Sequence, residues 1–196
     1  LVFPKIYDYN EVLESCLVYF KGDELAATTW MNKYAVKNKK GEYLESSPNE
    51  MHKRMAVEFA RIEKKYLESE KNTEGVSEYG KTRKFLSEEG IYDLFKDFKY
   101  IIPQGSVMSS LGNKNVIASL SNCVVVPPVY DSYGGIFYTD QQLAQLFKRR
   151  CGVGVDISNL RPSGSHVSNA AGSTSGAVSF MKRFSHTTRE VAQNGR

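Results

Sequence analysis

Met51, Met55, Phe59, Ile62 and Tyr66 recur at spacings of three and four, with charged residues between them, and this draws one apolar stripe along a helix. A start signal precedes the stripe. Ser47 can accept from free backbone N–H groups, Pro48 suits the first helical position, and Glu50 completes a capping box. The polar run Lys71–Gly80 reads as a loop, and a further helical stretch carries Ile91, Leu94 and Phe95 on one side, with Gly90 marking a break just before it. Residues 1–100 therefore read as a helical domain.

The pattern changes near Tyr100, where Lys and Glu become rare and Gly, Ser, Asn and Val take over; a domain boundary is expected there, with residues 101–196 as the second domain. Asn122-Cys123-Val124-Val125-Val126 is a β-branched run stopped by Pro127-Pro128, and it predicts a short buried strand. Thr139-Asp140-Gln141-Gln142 has the form of a capping box, with Tyr138 and Leu143 placed as a hydrophobic staple. Leu143, Leu146 and Phe147 extend that helix to Arg150, and Gly152 ends it. Val153–Asp156 predicts a second strand, so the order strand, helix, strand makes a βαβ unit and the fold class α/β. Pro162–Gly176, rich in Ser, Gly, Asn and Ala, reads as a flexible loop, followed by a helix with Val178, Met181 and Phe184 at spacings of three.

Composition narrows the function. Hydrophobic residues at 41% and charged residues at 24% are an ordinary globular balance. No apolar run approaches the roughly 18 residues that span a membrane, and Leu1–Asn10 lacks the pattern of a signal peptide. Leu1 in place of a starting Met suggests a piece of a longer chain. Residues 1–100 hold 17 basic and 18 acidic side chains, whereas residues 101–196 hold 9 and 4. A sparse positive excess among Gly and Ser suits small phosphates better than nucleic acid, which calls for a dense Lys/Arg stripe; a mildly basic surface is an equally good account of the charge.

Three cysteines at wide spacing (Cys16, Cys123 and Cys151) with no CxxC argue against a disulfide scaffold or a zinc ribbon and fit a reducing cytoplasm. His52, His166 and His186 do not fall at ligand spacing with them, so no metal site is expected. Gly152-Val153-Gly154 lacks the third glycine of a dinucleotide fingerprint. Taken alone, Cys123 on a buried strand reads as an inert small hydrophobe.

Several motifs in register change that reading. Pro103–Ser110, Ser121–Val125, Arg150–Asp156, Asn159–Ser165, Ser179–Phe184 and Gln193–Arg196 together resemble the first part of the ribonucleotide reductase catalytic barrel. Trp30, Lys33-Tyr34-Ala35 and Glu50–Arg54 resemble the helical region that precedes it in the same family. The resemblance implies a helical N-terminal region followed by the incomplete start of a ten-stranded α/β barrel. The implied reaction is reduction of ribonucleotides to 2′-deoxyribonucleotides by thiyl-radical chemistry. Two cysteines supply its electrons and close to a disulfide, and Cys123 matches the first of them.

Further roles follow from the same resemblance. Substrate contacts fall on Asn122, Cys123 and Gly152, and on Ser106 or its neighbour Gly105. Family members often carry Ser where Asn122 stands; an amide also donates and accepts hydrogen bonds. Asp131 and Ser132 match the region that holds the ribose and base of an allosteric deoxynucleotide, Arg161 matches a contact to its phosphate, and Gln193 and Arg196 match the loop that carries the effector's message to the substrate. The family's radical cysteine, its flanking Asn and Glu, and its C-terminal reducing cysteines are expected beyond Arg196, so the isolated chain is expected to be inactive.

The run from Arg150 to Arg196 looks most like the class II branch, whose cofactor is adenosylcobalamin, bound mostly by residues outside this stretch. The alternatives are a class I metal-dependent large subunit and a non-catalytic nucleotide-binding module. Implied partners are the ribonucleotide, a deoxynucleoside triphosphate effector, the remainder of the catalytic subunit, a thioredoxin-type reductant and a second copy in a homodimer; neither membrane nor nucleic acid is among them.

Overall fold

A computed structural model describes residues 5–69, 77–82 and 85–192. The chain divides into two compact units, one ending at Val116 and the other beginning at Ile117. Helix starts in the first unit are set by short polar side chains. The Asp8 carboxylate accepts from the N–H groups of Asn10 and Glu11 at 2.8 and 2.9 Å, and the Glu11 carboxylate accepts from Asp8 N–H at 2.9 Å. This reciprocal box opens α1 (Tyr9–Tyr19). Asp23 caps α2 (Glu24–Lys33) through Ala26 N–H. The long helix α3 (Pro48–Ser69) starts at the expected Pro48. Its Glu50 reaches one residue further back than the expected box, to Ser46 N–H at 2.6 Å, and also accepts from Tyr7 Oη at 2.9 Å. A short helix, α4 (Glu78–Thr82), stands where part of the Lys71–Gly80 loop was expected; positions 71–76 of that loop lie outside the described residues. The break expected before Gly90 is the Ser87 cap of α5 (Glu88–Phe95), with Gly90 inside the first turn.

The expected stripe on α3 is core only at its start. Met51 and Met55 are fully buried, Phe59 packs at the margin, and Tyr66 is 60% exposed because α5 covers only part of the helix's length. Ile91 and Phe95 of α5, Val12 and Cys16 of α1, and Ala27, Trp30 and Met31 of α2 close the rest of this core. Each fully buried Met contributes about 2 kcal/mol, and Met51 also accepts the Trp30 indole N–H at 3.3 Å on its sulfur. The last helix of the unit, α6 (Gly105–Ser110), packs on α3. Residues 101–116 therefore stay with the helices, and the junction falls later than the composition change near Tyr100.

The second unit holds the expected βαβ order. Strands β1 (Cys123–Val125) and β2 (Gly152–Gly154) pair in parallel, with α7 (Tyr133–Phe147) between them in sequence and α8 (Ala177–Ala192) packed on α7. Its core is Val129, Ile136, Leu143, Leu160 and Phe184. The strand expected to be buried is not: Cys123 is exposed and Val125 is 79% exposed. Only β2 pairs with β1 among the described residues.

Both ends of α7 depart from expectation. The helix starts at Ser132, whose hydroxyl accepts Gly135 N–H at 3.1 Å, so Thr139 and Asp140 are buried mid-helix residues and not a cap. Gly135 permits this early start, because a Cβ there would sit 2.5 Å from the Tyr130 carbonyl oxygen. Asp140 instead accepts from Arg183 Nε at 3.0 Å and from Thr187 Oγ1 at 2.5 Å, which ties α7 to α8. At the other end the terminator is Arg150, not Gly152. Arg150 takes φ 63°, its N–H bonds to Phe147 O at 2.9 Å, and Cys151 N–H bonds to Leu146 O at 3.2 Å. This is the left-handed closing turn that Gly ordinarily fills. Arg150→Gly is accordingly expected to stabilise the unit by about 1 kcal/mol, the cost of a left-handed side-chain-bearing residue, and a denaturant midpoint at unchanged slope measures it.

The loop expected to be flexible is bonded across itself. Val167 N–H donates to Gly172 O at 3.1 Å, Thr174 N–H to Ser165 O at 3.0 Å, and Gly164 N–H to Thr174 O at 2.9 Å. On α8 Phe184 is buried, whereas Val178 and Met181 are 65% and 49% exposed; Ala177 and Phe180 supply the inner face in their place. Among the described residues, no helix is long and apolar enough to cross a membrane.

Candidate functional site

The strand pair brings three of the singled-out residues together. Register places Cys123 opposite Gly152, and Gly152 N–H donates to Asn122 O at 2.7 Å. Partners in register lie side by side on one face of a sheet. The neighbour of Cys123 is therefore bare backbone, and its thiol has room for another molecule. Cys123 is a free, exposed thiol. Cys151, one residue before Gly152, is 2% exposed, and its thiol donates to Gly152 O at 3.5 Å. The second thiol thus behaves as packing, and the first is presented. Ser106 and Gly105 belong to α6 in the first unit, where Ser106 is buried and Gly105 abuts the ring of Tyr34.

A second cluster forms where α7 begins. Asp131 Oδ2 and Arg161 Nε make an ion pair at 2.6 Å, and Arg161 also donates to His166 O at 2.9 Å. Arg161 is 40% exposed and Asp131 31%, so the pair stays open to a solute. Beside it lies a hollow of about 200 Å³ lined by Asp131, Ser132, Tyr133, Arg161, Thr174 and Phe180, among others. The N-terminus of α7 opens into this hollow through its Ser132 cap, and the free N–H groups of a helix start attract anions. Asp131, Ser132 and Arg161 therefore line one hollow of the structure. Tyr133, Thr174 and Phe180 were not foreseen; Thr174 and Phe180 stand some forty residues along the chain from α7's start, a separation that no local pattern bridges. Gln193 and Arg196 lie outside the described residues.

Ionisation separates the two units further. In the first, burial pushes the Cys16 thiol and the Tyr19 hydroxyl each up to about 12, and it pushes the His52 imidazole down to about 4. All three are uncharged near neutral pH, with Cys16 and His52 fully buried and Tyr19 half-buried. In the second unit Asp156, which accepts from Ser158 N–H at 2.9 Å in a tight turn after β2, is held below its ordinary range by that bond. The described residues include no group of three or more His, Cys, Asp and Glu side chains that could hold a metal ion.

Comparison with known proteins agrees with this division. Residues 20–115 match the family model described as "Ribonucleotide reductase, all-alpha domain", and residues 121–196 match "Ribonucleotide reductase, barrel domain". The chain is 31% identical over 205 residues to a vitamin B12-dependent ribonucleoside-diphosphate reductase of Thermoplasma acidophilum, a match covering 84% of this chain and 26% of that protein. A protein of the same description from Mycobacterium tuberculosis is 28% identical over 171 residues, or 87% of this chain and 22% of that one. The ribonucleoside-diphosphate reductase large subunit of vaccinia virus is 33% identical over 76 residues, or 39% of this chain and 10% of that one. The chain thus spans about a quarter of the first of these relatives.

Proposed function

The chain belongs to the large-subunit family of the ribonucleotide reductases, and from that premise we propose that it is the N-terminal part of an enzyme converting ribonucleoside diphosphates to 2′-deoxyribonucleotides. The observation that carries this reading is the exposed Cys123 thiol beside the bare backbone of Gly152. In the complete enzyme the substrate's 2′-hydroxyl leaves as water and a hydrogen takes its place. The two electrons come from Cys123 and a second thiol, which close to a disulfide. A strand fixes the sulfur at the short, specific range that disulfide closure demands. Asn122 and Gly152 would hold the nucleotide beside it.

The branch proposed is the B12-dependent one. Similarity to the two relatives so described extends over both units of this chain, whereas similarity to the viral large subunit is confined to 76 residues. The described residues around Cys123 are a strand pair and its turn, which do not by themselves fit a corrin ring. Adenosylcobalamin is therefore assigned to the complete enzyme. The class I large-subunit reading is retained because the identity to the viral protein is as high where it applies.

The test is deoxynucleotide formation by the full-length polypeptide given ribonucleoside diphosphate and a dithiol reductant. Product that depends on adenosylcobalamin supports the proposal. Product that depends instead on a separate radical-generating subunit moves the enzyme to the other branch, and no product with either rejects the reading. The chain of 196 residues alone is expected to give none.

The hollow at α7 is proposed as the allosteric site for a deoxynucleoside triphosphate, with a thioredoxin-type reductant and a second subunit as further partners. Arg161 offers a planar donor fork to phosphate. Removing one charge-assisted contact costs about 2 kcal/mol. Arg161→Ala in the full-length polypeptide should therefore weaken effector binding by about thirtyfold in calorimetry, and unchanged affinity would remove the assignment.

A further inference from the structure

β1 is three residues long, at the lower limit for a strand, and Cys123 is its first residue. The placement of Cys123 therefore depends on what holds the chain just before it. Ser119 supplies that hold. Its hydroxyl accepts Ser121 N–H at 3.0 Å and donates to Ser121 O at 3.1 Å, which one donor and two acceptor positions allow. The backbone is thereby folded into a side-chain turn over Leu120. Ser119 N–H in turn donates to Arg149 O at 2.9 Å. Arg149 is fixed to α7, since its guanidinium donates from Nη1 to Gln145 O at 2.6 Å. Three residues further along each segment, Gly152 N–H donates to Asn122 O at 2.7 Å. Two backbone rungs thus flank a stretch in which both segments bend, one through the left-handed Arg150 and the other through the Ser119 turn. The bend ends with Cys123 opposite Gly152. All of these residues belong to the second unit.

We propose that Ser119 is a positioning residue: its hydroxyl closes the turn that delivers Cys123 to its place opposite Gly152, and so sets where the thiol stands for its reaction. This rests on the reading of Cys123 as an electron-donating thiol. Ser119 touches neither the nucleotide nor the reacting sulfur in this assignment and acts through the backbone of Ser121 and Asn122. Without the hydroxyl the rung to Arg149 stays, but Leu120 and Ser121 are freed between the rungs. A thiol that must meet both a sugar and a second sulfur is sensitive to that freedom, because displacing a reacting group by about 1 Å can lower a rate about a hundredfold.

Ser119→Val and Ser119→Thr in the full-length polypeptide isolate the hydroxyl. The two side chains are alike in shape and branching, and only threonine keeps the oxygen. We expect Ser119→Val to lower kcat for deoxynucleotide formation about tenfold, with KM changed by less than about twofold, and to quicken amide hydrogen exchange at Gly152 about tenfold, the loss of about one hydrogen bond. Ser119→Thr should keep kcat and exchange near those of wild type, a recovery that a side chain merely filling space would not show. Ser119→Ala makes the same deletion without a branched side chain and serves should the valine variant not fold. Wild-type kcat in a folded valine or alanine variant overturns the proposal, and so does a loss that the threonine variant shares. Quickened exchange in a polypeptide that reduces no nucleotide even as wild type would instead reject the reductase reading and leave the Ser119 turn standing as the brace of Cys123.

Discussion

Cys123→Ser in the full-length polypeptide is expected to abolish catalytic turnover, by about three orders of magnitude or more, the scale seen when a group that itself reacts is removed. Serine has the same shape and keeps a polar hydrogen-bonding tip, but its oxygen cannot give up electrons to form a bond with a second thiol. The substitution should be mild for the fold. Cys123 is exposed, and its neighbour in the sheet is Gly152, so no packing is lost; thermal unfolding and ribonucleotide affinity should stay near those of wild type. Cys151→Ser should show the reverse. Cys151 is 2% exposed, and a hydroxyl buried in its place costs about 1–3 kcal/mol; stability should fall while the chemical step, measured per folded molecule, persists. Quantifying deoxynucleotide per enzyme decides both. Sustained turnover by Cys123→Ser would remove the thiol from the reaction.

How far the sequence spoke for the structure depends on the range of each interaction. Pro48, the stop at Pro127-Pro128 and the strand–helix–strand order were readable because each depends on neighbours within a few residues. In one place packing overrode the local signal. Thr139-Asp140-Gln141-Gln142 has the cap pattern. Ser132 wins because a start there lets Ile136 and Leu143 both reach the core, and because Gly135, a poor helix former, is the residue that fits against Tyr130. The end of α7 was misjudged for a related reason: the left-handed position is occupied by Arg150, which disguises it. The exposure of Cys123 was hidden because a β-branched run reads as buried whether or not further strands are there to bury it.

The candidate site is a reading of motif resemblance and not of physical pattern. Asp131 and Arg161 are thirty residues apart, and their 2.6 Å pairing is a tertiary fact. The bonds from Arg54 to Met108 and Leu111, across more than fifty residues, left no trace in periodicity. Local chemistry predicts elements; by itself it reads Cys123 as an inert core residue, and the candidate site comes from the resemblance.

Acid is expected to destabilise the first unit through His52. This side chain is fully buried between aromatic rings, T-shaped to Phe98 at 4.7 Å and stacked on Phe95 at 6.4 Å, and neither ring nitrogen has a hydrogen-bond partner among the described residues. Burial lowers its pKa to about 4; the nearby Asp97 opposes the shift and Arg54 adds to it. In the unfolded chain the value returns to about 6.5. Between these two values the unfolded state binds a proton and the native state does not, so stability falls as pH drops from about 6.5 to about 4 and levels off below. At 1.36 kcal/mol per unit the loss is about 3 kcal/mol, more than a hundredfold in the folding equilibrium. Asp156 pulls in the same direction, but it lies in the second unit, and its lowered pKa confines its effect to the carboxylate range. Trp30, the chain's only tryptophan and buried beside Met51 in the same core, reports on this unit alone. Urea unfolding followed by its fluorescence should shift to lower denaturant across that pH range. His52→Leu, an apolar side chain of similar size, should remove most of the dependence between pH 4 and 6.5. A variant that keeps the full slope would place the titrating group elsewhere.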